Sequence, residues 1–173
     1  MRFLVGFFLF LSILSCNKLE RNNDLKIFRY NESSGIFSLD PIYAKDQATI
    51  WAVNQLFNGL VQLDSNLNVI SSIAKKWHIS NDGLSYTFFL RDDVYFHDNL
   101  FFKNGIGRRV LASDFEYSFD RLIDKDIASP GGWVLRNVSS YKAINDSVFT
   151  IDLISPFPAF LSLLSMQYCS VVP

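Results

Sequence analysis

The chain has 173 residues, 49% of them apolar, 16% aromatic and 19% charged, enough length for a domain with a buried core. Lys and Arg number 16 against 17 Asp and Glu, and the resulting net charge of −1 excludes bulk attraction to nucleic acid. The 17 Phe, 7 Tyr and 3 Trp exclude a disordered chain, and 2 Cys exclude a disulfide scaffold.

At the N-terminus, Met1-Arg2 supplies a positive end and residues 3–14 carry no charge. That run is too short for a bilayer span, which needs about 20 residues, but it suits the apolar region of a secretory signal. It ends in Ile13-Leu14-Ser15-Cys16, followed by the polar Asn17-Lys18. Small residues before a cysteine resemble the lipobox of bacterial lipoproteins, in which the cysteine is acylated and the preceding peptide removed. The resemblance implies a signal peptide at residues 1–15, a lipid anchor on Cys16 and a polar tether over residues 16–24. An ordinary signal peptide with an incidental cysteine is the alternative.

Residues 25–30 alternate enough to predict a strand, and Ser33-Ser34-Gly35 and Asp40-Pro41 mark turns. A helix is expected from Asp46, an N-cap residue, with Ile50, Val53, Phe57 and Leu60 as its stripe and Gly59 as its stop. Short strands follow at residues 60–63 and 67–70. A hairpin is predicted around Asn81-Asp82-Gly83, with strands at residues 77–80 and 85–90 and Tyr86, Phe88 and Leu90 on one side. Residues 94–96 are expected to continue the sheet. Ser113 with Glu116 reads as a capping box for a helix carrying Phe115, Phe119 and Leu122 on one face. A second hairpin pairs residues 141–144 with 148–153. A last, nearly all-apolar helix is expected to start at Ser155-Pro156. It runs into residues 166–173, an apolar ending that suggests part of a longer protein, since natural termini are ordinarily polar.

The residues assemble no active site. His78 and His97 lack a third ligand or a nucleophile at useful spacing. Asp120, Asp124 and Asp126 lack the glycine of a calcium loop and read as a solvated face. Gly105 and Gly107 form an incomplete phosphate fingerprint, better read as an exposed turn with a basic rim. Cys169, in an apolar stretch, is expected to be an inert buried thiol. No cofactor is implied.

A series of segments does carry information. Ser38-Leu39-Asp40-Pro41, Leu56-Phe57-Asn58-Gly59-Leu60-Val61 and Ile73-Ala74-Lys75-Lys76-Trp77 come first. Ser80-Asn81-Asp82-Gly83, the residues that run on from it to Val94, and Phe96-His97-Asp98 follow. The series ends with the helix from Ala112 to Arg121, Ala128-Ser129-Pro130-Gly131, and Pro156-Phe157 with Phe160, Leu163 and Leu164. In this order they resemble the bacterial extracellular solute-binding proteins of family 5, the oligopeptide- and dipeptide-binding components of ABC importers. The stretch from Asn99 to Leu111 is longer than the family pattern, and leaves the path of that loop open.

The resemblance implies an α/β receptor of periplasmic-binding-protein type II, α+β over this segment, with two lobes and three subdomains. Residues 25–59 would begin the larger lobe, and residues 60–173 would form the small α+β subdomain. It further implies a peptide ligand held extended by main-chain hydrogen bonds between closing lobes, permease subunits in the membrane as partners, and a place outside the membrane on a lipid anchor. By position, Gly35, Ile36, Phe37 and Ser38, with Ser34 before them, match the backbone-pairing stretch; Met166, Gln167 and Tyr168 match the crossover lining the cleft. The groups that grip peptide termini would lie in a further lobe, so this chain alone is expected to show no measurable peptide affinity and to expose residues 157–173. Relatives that take nickel, haem or oligosaccharides, and an exported adaptor lipoprotein, are the rival readings.

Overall fold

The computed structural model describes residues 28–173. The expected signal segment, the tether, Cys16 and residues 25–27 of the expected first strand lie outside them. Phe28, Arg29 and Tyr30 carry no strand assignment, so the rest of that expected strand is not formed. Residues 32–173 form one compact unit.

Helix α1 (Gln47–Leu56) starts where the sequence places it, with the Asp46 carboxylate accepting the Thr49 N–H at 3.0 Å. It ends at Leu56, three residues before Gly59, with Phe57 already extended. Gly59 serves a close approach instead: a Cβ there would stand 3.3 Å from the carbonyl oxygens of both Leu164 and Cys169. Strands β1 (Val61–Leu63) and β2 (Val69–Ser71) form a small antiparallel ribbon, Gln62 opposite Ile70.

The main sheet has four antiparallel strands in the order β3-β4-β6-β5, built from β3 (Ala74–Ile79), β4 (Ser85–Leu90), β5 (Val138–Asn145) and β6 (Val148–Leu153). Both predicted hairpins are present, and β4 and β6, each the second strand of its hairpin, pair at the centre: Tyr86 faces Ile151 and Phe88 faces Phe149. The period-two alternation of strands sends Tyr86, Phe88 and Leu90 inward together with Phe149, Ile151 and Leu153. Gly83, at φ +71°, takes the left-handed position that closes the first hairpin. Residues 94–96 do not continue the sheet; they make only an isolated bridge, Tyr95 with Arg109. Both edges of the β4–β6 pair are already taken by β3 and β5, so no ladder position remains beside the centre.

Helix α2 (Ala112–Ile123) covers one face with Phe115, Phe119 and Leu122, all buried. Phe119 meets Phe149 and Tyr141 edge-on, with centroids 5.6 and 5.4 Å apart. The expected Ser113 capping box is replaced. Leu111 is the N-cap residue, and its N–H is taken at 2.8 Å by Asp114, whose carboxylate also accepts two bonds from Arg108 at 2.6 and 2.7 Å. Ser113 is exposed in the first turn. Helix α3 (Phe160–Leu164) is shorter than expected, because Pro156 and Pro158 disfavour helix at the residues before them.

The ending is not an exposed surface. Phe160, Leu164, Cys169 and Val171 are buried, while Phe157 stays partly open. The Val171 N–H donates to Asn58 O at 3.0 Å and the Val172 N–H to Ser118 Oγ at 3.0 Å, tying residues 171–172 between the segment after α1 and α2. Antiparallel sheet with helices packed beside it makes the described residues α+β.

Candidate functional site

The stretch before α1 begins in a turn. The Ser34 N–H donates to Glu32 Oε1 at 3.0 Å, and Gly35 sits at φ +71°, a conformation favouring glycine. Ile36, Phe37, Ser38 and Leu39 then run without any strand or helix assignment. Among the described residues, the main-chain N–H groups of Gly35, Ile36, Phe37 and Ser38 have no main-chain partner. Phe37 is 85% exposed, and Ile36 is exposed beside it. A run of open donors and acceptors flanked by apolar side chains is what an added strand requires.

Past Ser38 the chain becomes fixed. Ser38 Oγ accepts the Asp40 N–H at 3.0 Å, and Asp40 Oδ1 accepts the Ile42 N–H at 3.3 Å, capping the turn Pro41–Tyr43. Asp40 also receives Arg121 of α2, Nη2 to Oδ2 at 2.6 Å and Nη1 to Oδ1 at 3.4 Å. That hydrogen bond, ahead of the opposing effect of burial, pushes the Arg121 guanidinium above its ordinary value. Ser129 Oγ donates to Ile42 O at 2.6 Å and accepts the Gly131 N–H at 3.1 Å, so the Ala-Ser-Pro-Gly motif clasps the same turn.

The turn Pro41–Tyr43 packs directly on a second turn, Gln167–Cys169. The two expected site segments, residues 35–38 and 166–168, are therefore joined through this junction. Their side chains differ in access. Met166 is half-buried against the core, and Tyr168 is 8% exposed, its ring lying over Gly131. Gln167 reaches Asn54 of α1, Nε2 to Oδ1 at 3.4 Å. Of the six expected ligand residues, Gly35, Ile36 and Phe37 are exposed, Ser38 is half-buried with its hydroxyl already accepting a hydrogen bond, Met166 is half-buried and Tyr168 is core.

A second feature escaped the sequence reading. A cavity of about 640 Å³ opens between the end of α1 and the long loop after β4, lined by Phe57, Asn58, Tyr95, His97, Phe102 and Arg108 among others. The doublets Tyr95-Phe96 and Phe101-Phe102 are its signal in the sequence, with the Phe96 and Phe102 rings stacked at 5.9 Å. His97 stands at this cavity, and His78 is exposed on β3. Among the described residues no three His, Cys, Asp or Glu side chains converge as metal ligands. The turn read as exposed with a basic rim is only partly so: Lys103 and Asn104 are exposed and Gly105 is half-buried, but Gly107 is buried, where a Cβ would stand 1.8 Å from Phe96 O. Cys169 is fully buried, and loss of solvent pushes its thiol up to about 12.

Comparison with known proteins bears on how this geometry is used. The family described as bacterial extracellular solute-binding proteins, family 5 (middle), matches residues 68–173. A probable di/tripeptide-binding protein of Pseudomonas aeruginosa is 34% identical over 130 residues, 67% of this chain and 24% of that protein. A dipeptide-binding protein of Lactococcus lactis is 29% identical over 160 residues, 84% of this chain and 28% of that protein. Among solved structures, the ABC transporter-associated periplasmic binding protein DppA of Helicobacter pylori, in complex with the peptide STSA, superposes with a TM-score of 0.71 at 29% identity. That match covers 80% of this chain and 29% of the other. The chain thus spans about a quarter of the length of the relatives it matches.

Proposed function

The chain belongs to the bacterial extracellular solute-binding proteins of family 5, with the type II periplasmic-binding-protein fold, and from that membership we propose that it supplies part of the peptide site of a receptor serving an ABC importer. In this reading residues 25–59 begin the larger lobe and residues 60–173 form the small subdomain. Cys16 carries the lipid that holds the protein at the outer face of a membrane, where permease subunits receive the loaded receptor.

The observation that carries the proposal is the open main chain of residues 35–38 beside exposed Phe37. An extended peptide laid along this edge exchanges main-chain hydrogen bonds, each worth about 0.5–1.5 kcal/mol net. Such bonds are blind to side-chain identity, and bridging waters around the ligand side chains extend the tolerance. Met166 and Gln167 flank the same junction from the crossover turn, with Tyr168 as their buried base. Nothing in this arrangement asks for bond-making chemistry; recognition is its output.

The test replaces the aligned quarter of the Lactococcus lactis dipeptide-binding protein with this chain, so that the clamp is complete. Tri- and tetrapeptides carrying a photoreactive phenylalanine are cross-linked to the chimera and the adducts mapped by mass spectrometry. Adducts at residues 35–38 and 166–168, suppressed by unlabelled peptide, are expected. A chimera that binds peptide with no adduct on either segment refutes the assignment of these residues.

A further inference from the structure

We propose that Arg121, on α2, is a positioning residue for the peptide-pairing edge: through Asp40 it holds residues 35–38 at one angle to the rest of the fold. The inference rests on the peptide reading above for its purpose, and on geometry alone for its mechanics. The edge has no ladder of its own, since the N–H groups of residues 35–38 lack main-chain partners among the described residues. A segment without main-chain partners next to a glycine at φ +71° has nothing local to fix its direction. Its direction must come from the end at which it is anchored.

That end is Asp40. One carboxylate there does three things: it caps the turn Pro41–Tyr43, receives both Nη atoms of Arg121, and belongs to the residue whose N–H is held by Ser38 Oγ. The contact crosses 81 positions of sequence, so it joins the edge to the sheet-packed helix rather than to its neighbours in the chain. α2 in turn is locked by Phe115 and Phe119 against β6. The fork of a guanidinium matches a carboxylate in plane and angle, which an ammonium does not. Arg121 is also fixed from below, with its guanidinium carbon 6.0 Å from the centre of the Tyr117 ring. The partners are only part-exposed, 22% for the Arg121 side chain and 29% for that of Asp40, so solvent screens the pair less than a surface ion pair.

Backbone amide relaxation on the 173-residue chain tests this. In the wild-type protein the order parameters of residues 36–38 are expected to be near those of β4 and β6, about 0.85. In Arg121→Met they are expected to fall below about 0.6 while β4 and β6 hold their values, and Arg121→Lys is expected to recover part of the loss. Asp40→Asn, which keeps the side chain's size, is expected to behave like Arg121→Met. Order parameters unchanged in both Arg121→Met and Asp40→Asn overturn the proposal. A fall spread evenly over the sheet also overturns it, because that reports general loosening. No peptide enters this measurement, so failure of the strut and failure of peptide recognition are separately readable.

Discussion

Tyr168 lies over Gly131 so closely that a Cβ on residue 131 would come within 2.3 Å of the ring. Gly131→Ala therefore forces out a core aromatic. Overpacking costs about 1–3 kcal/mol, and a urea titration is expected to show the midpoint falling by that equivalent. At Cys169 the thiol rises from 9.0 to about 12 because burial disfavours the thiolate. The unfolded thiol ionises above pH 9 while the native one does not. Its contribution to stability is thus intact below pH 9 and is lost as pH climbs to about 12. Cys169→Ala is expected to flatten the alkaline fall in stability over that window, read from denaturant midpoints at stepped pH. At neutral pH a thiol reagent is expected to modify Cys169 only after unfolding, as peptide mapping would show. Both side chains were readable in part: the apolar neighbours of Cys169 announced its burial, but nothing near Tyr168 in the chain reveals that its ring rests on a glycine 37 positions earlier.

The start of α2 separates a local rule from a tertiary one. Ser113 and Glu116 satisfy a spacing rule that sees only neighbours, whereas Asp114 takes the Leu111 N–H and the Arg108 fork together. Asp114→Ala is expected to cost about 2 kcal/mol, less than a wholly buried pair because Arg108 is partly exposed, and Ser113→Ala is expected to stay within about 0.5 kcal/mol. Urea denaturation of the two variants side by side reads the difference; equal effects would return the cap to Ser113. The two hairpins were legible because alternation and tight-turn chemistry are local, whereas the strands expected at residues 28–30 and 94–96 are not formed. The ends of α1 and α3 were not: Gly59 is kept for a close contact with residues far along the chain, and Pro158 removed a turn that apolar content alone suggested. Residues 94–96 had strand composition but no free sheet edge beside the centre to join.

At the level of the whole molecule, motifs that look functional in the sequence are joints. Leu-Asp-Pro, the Arg at the end of α2 and Ala-Ser-Pro-Gly meet around the turn Pro41–Tyr43, and that joint leads into the open edge on one side and packs on the crossover turn on the other. The family was therefore legible from ordered motifs, while the proposed site rests on segments alone: the open backbone of residues 35–38 has no sequence signature beyond a glycine and two exposed apolar residues. The aromatic cavity beside α1 was foreshadowed only by the doublets Tyr95-Phe96 and Phe101-Phe102, because the rest of its lining comes from segments far apart in the chain. The central claim, that residues 35–38 bind ligands through peptide groups, is tested most directly by amide hydrogen exchange on the Lactococcus chimera. It should be saturated in turn with a tetrapeptide, the same peptide N-methylated throughout, nickel–histidine and an oligosaccharide. Slowed exchange at residues 36–38 with the plain tetrapeptide alone is the predicted result. Equal slowing by the N-methylated peptide, or slowing by nickel–histidine or the sugar and not by the peptide, would contradict it.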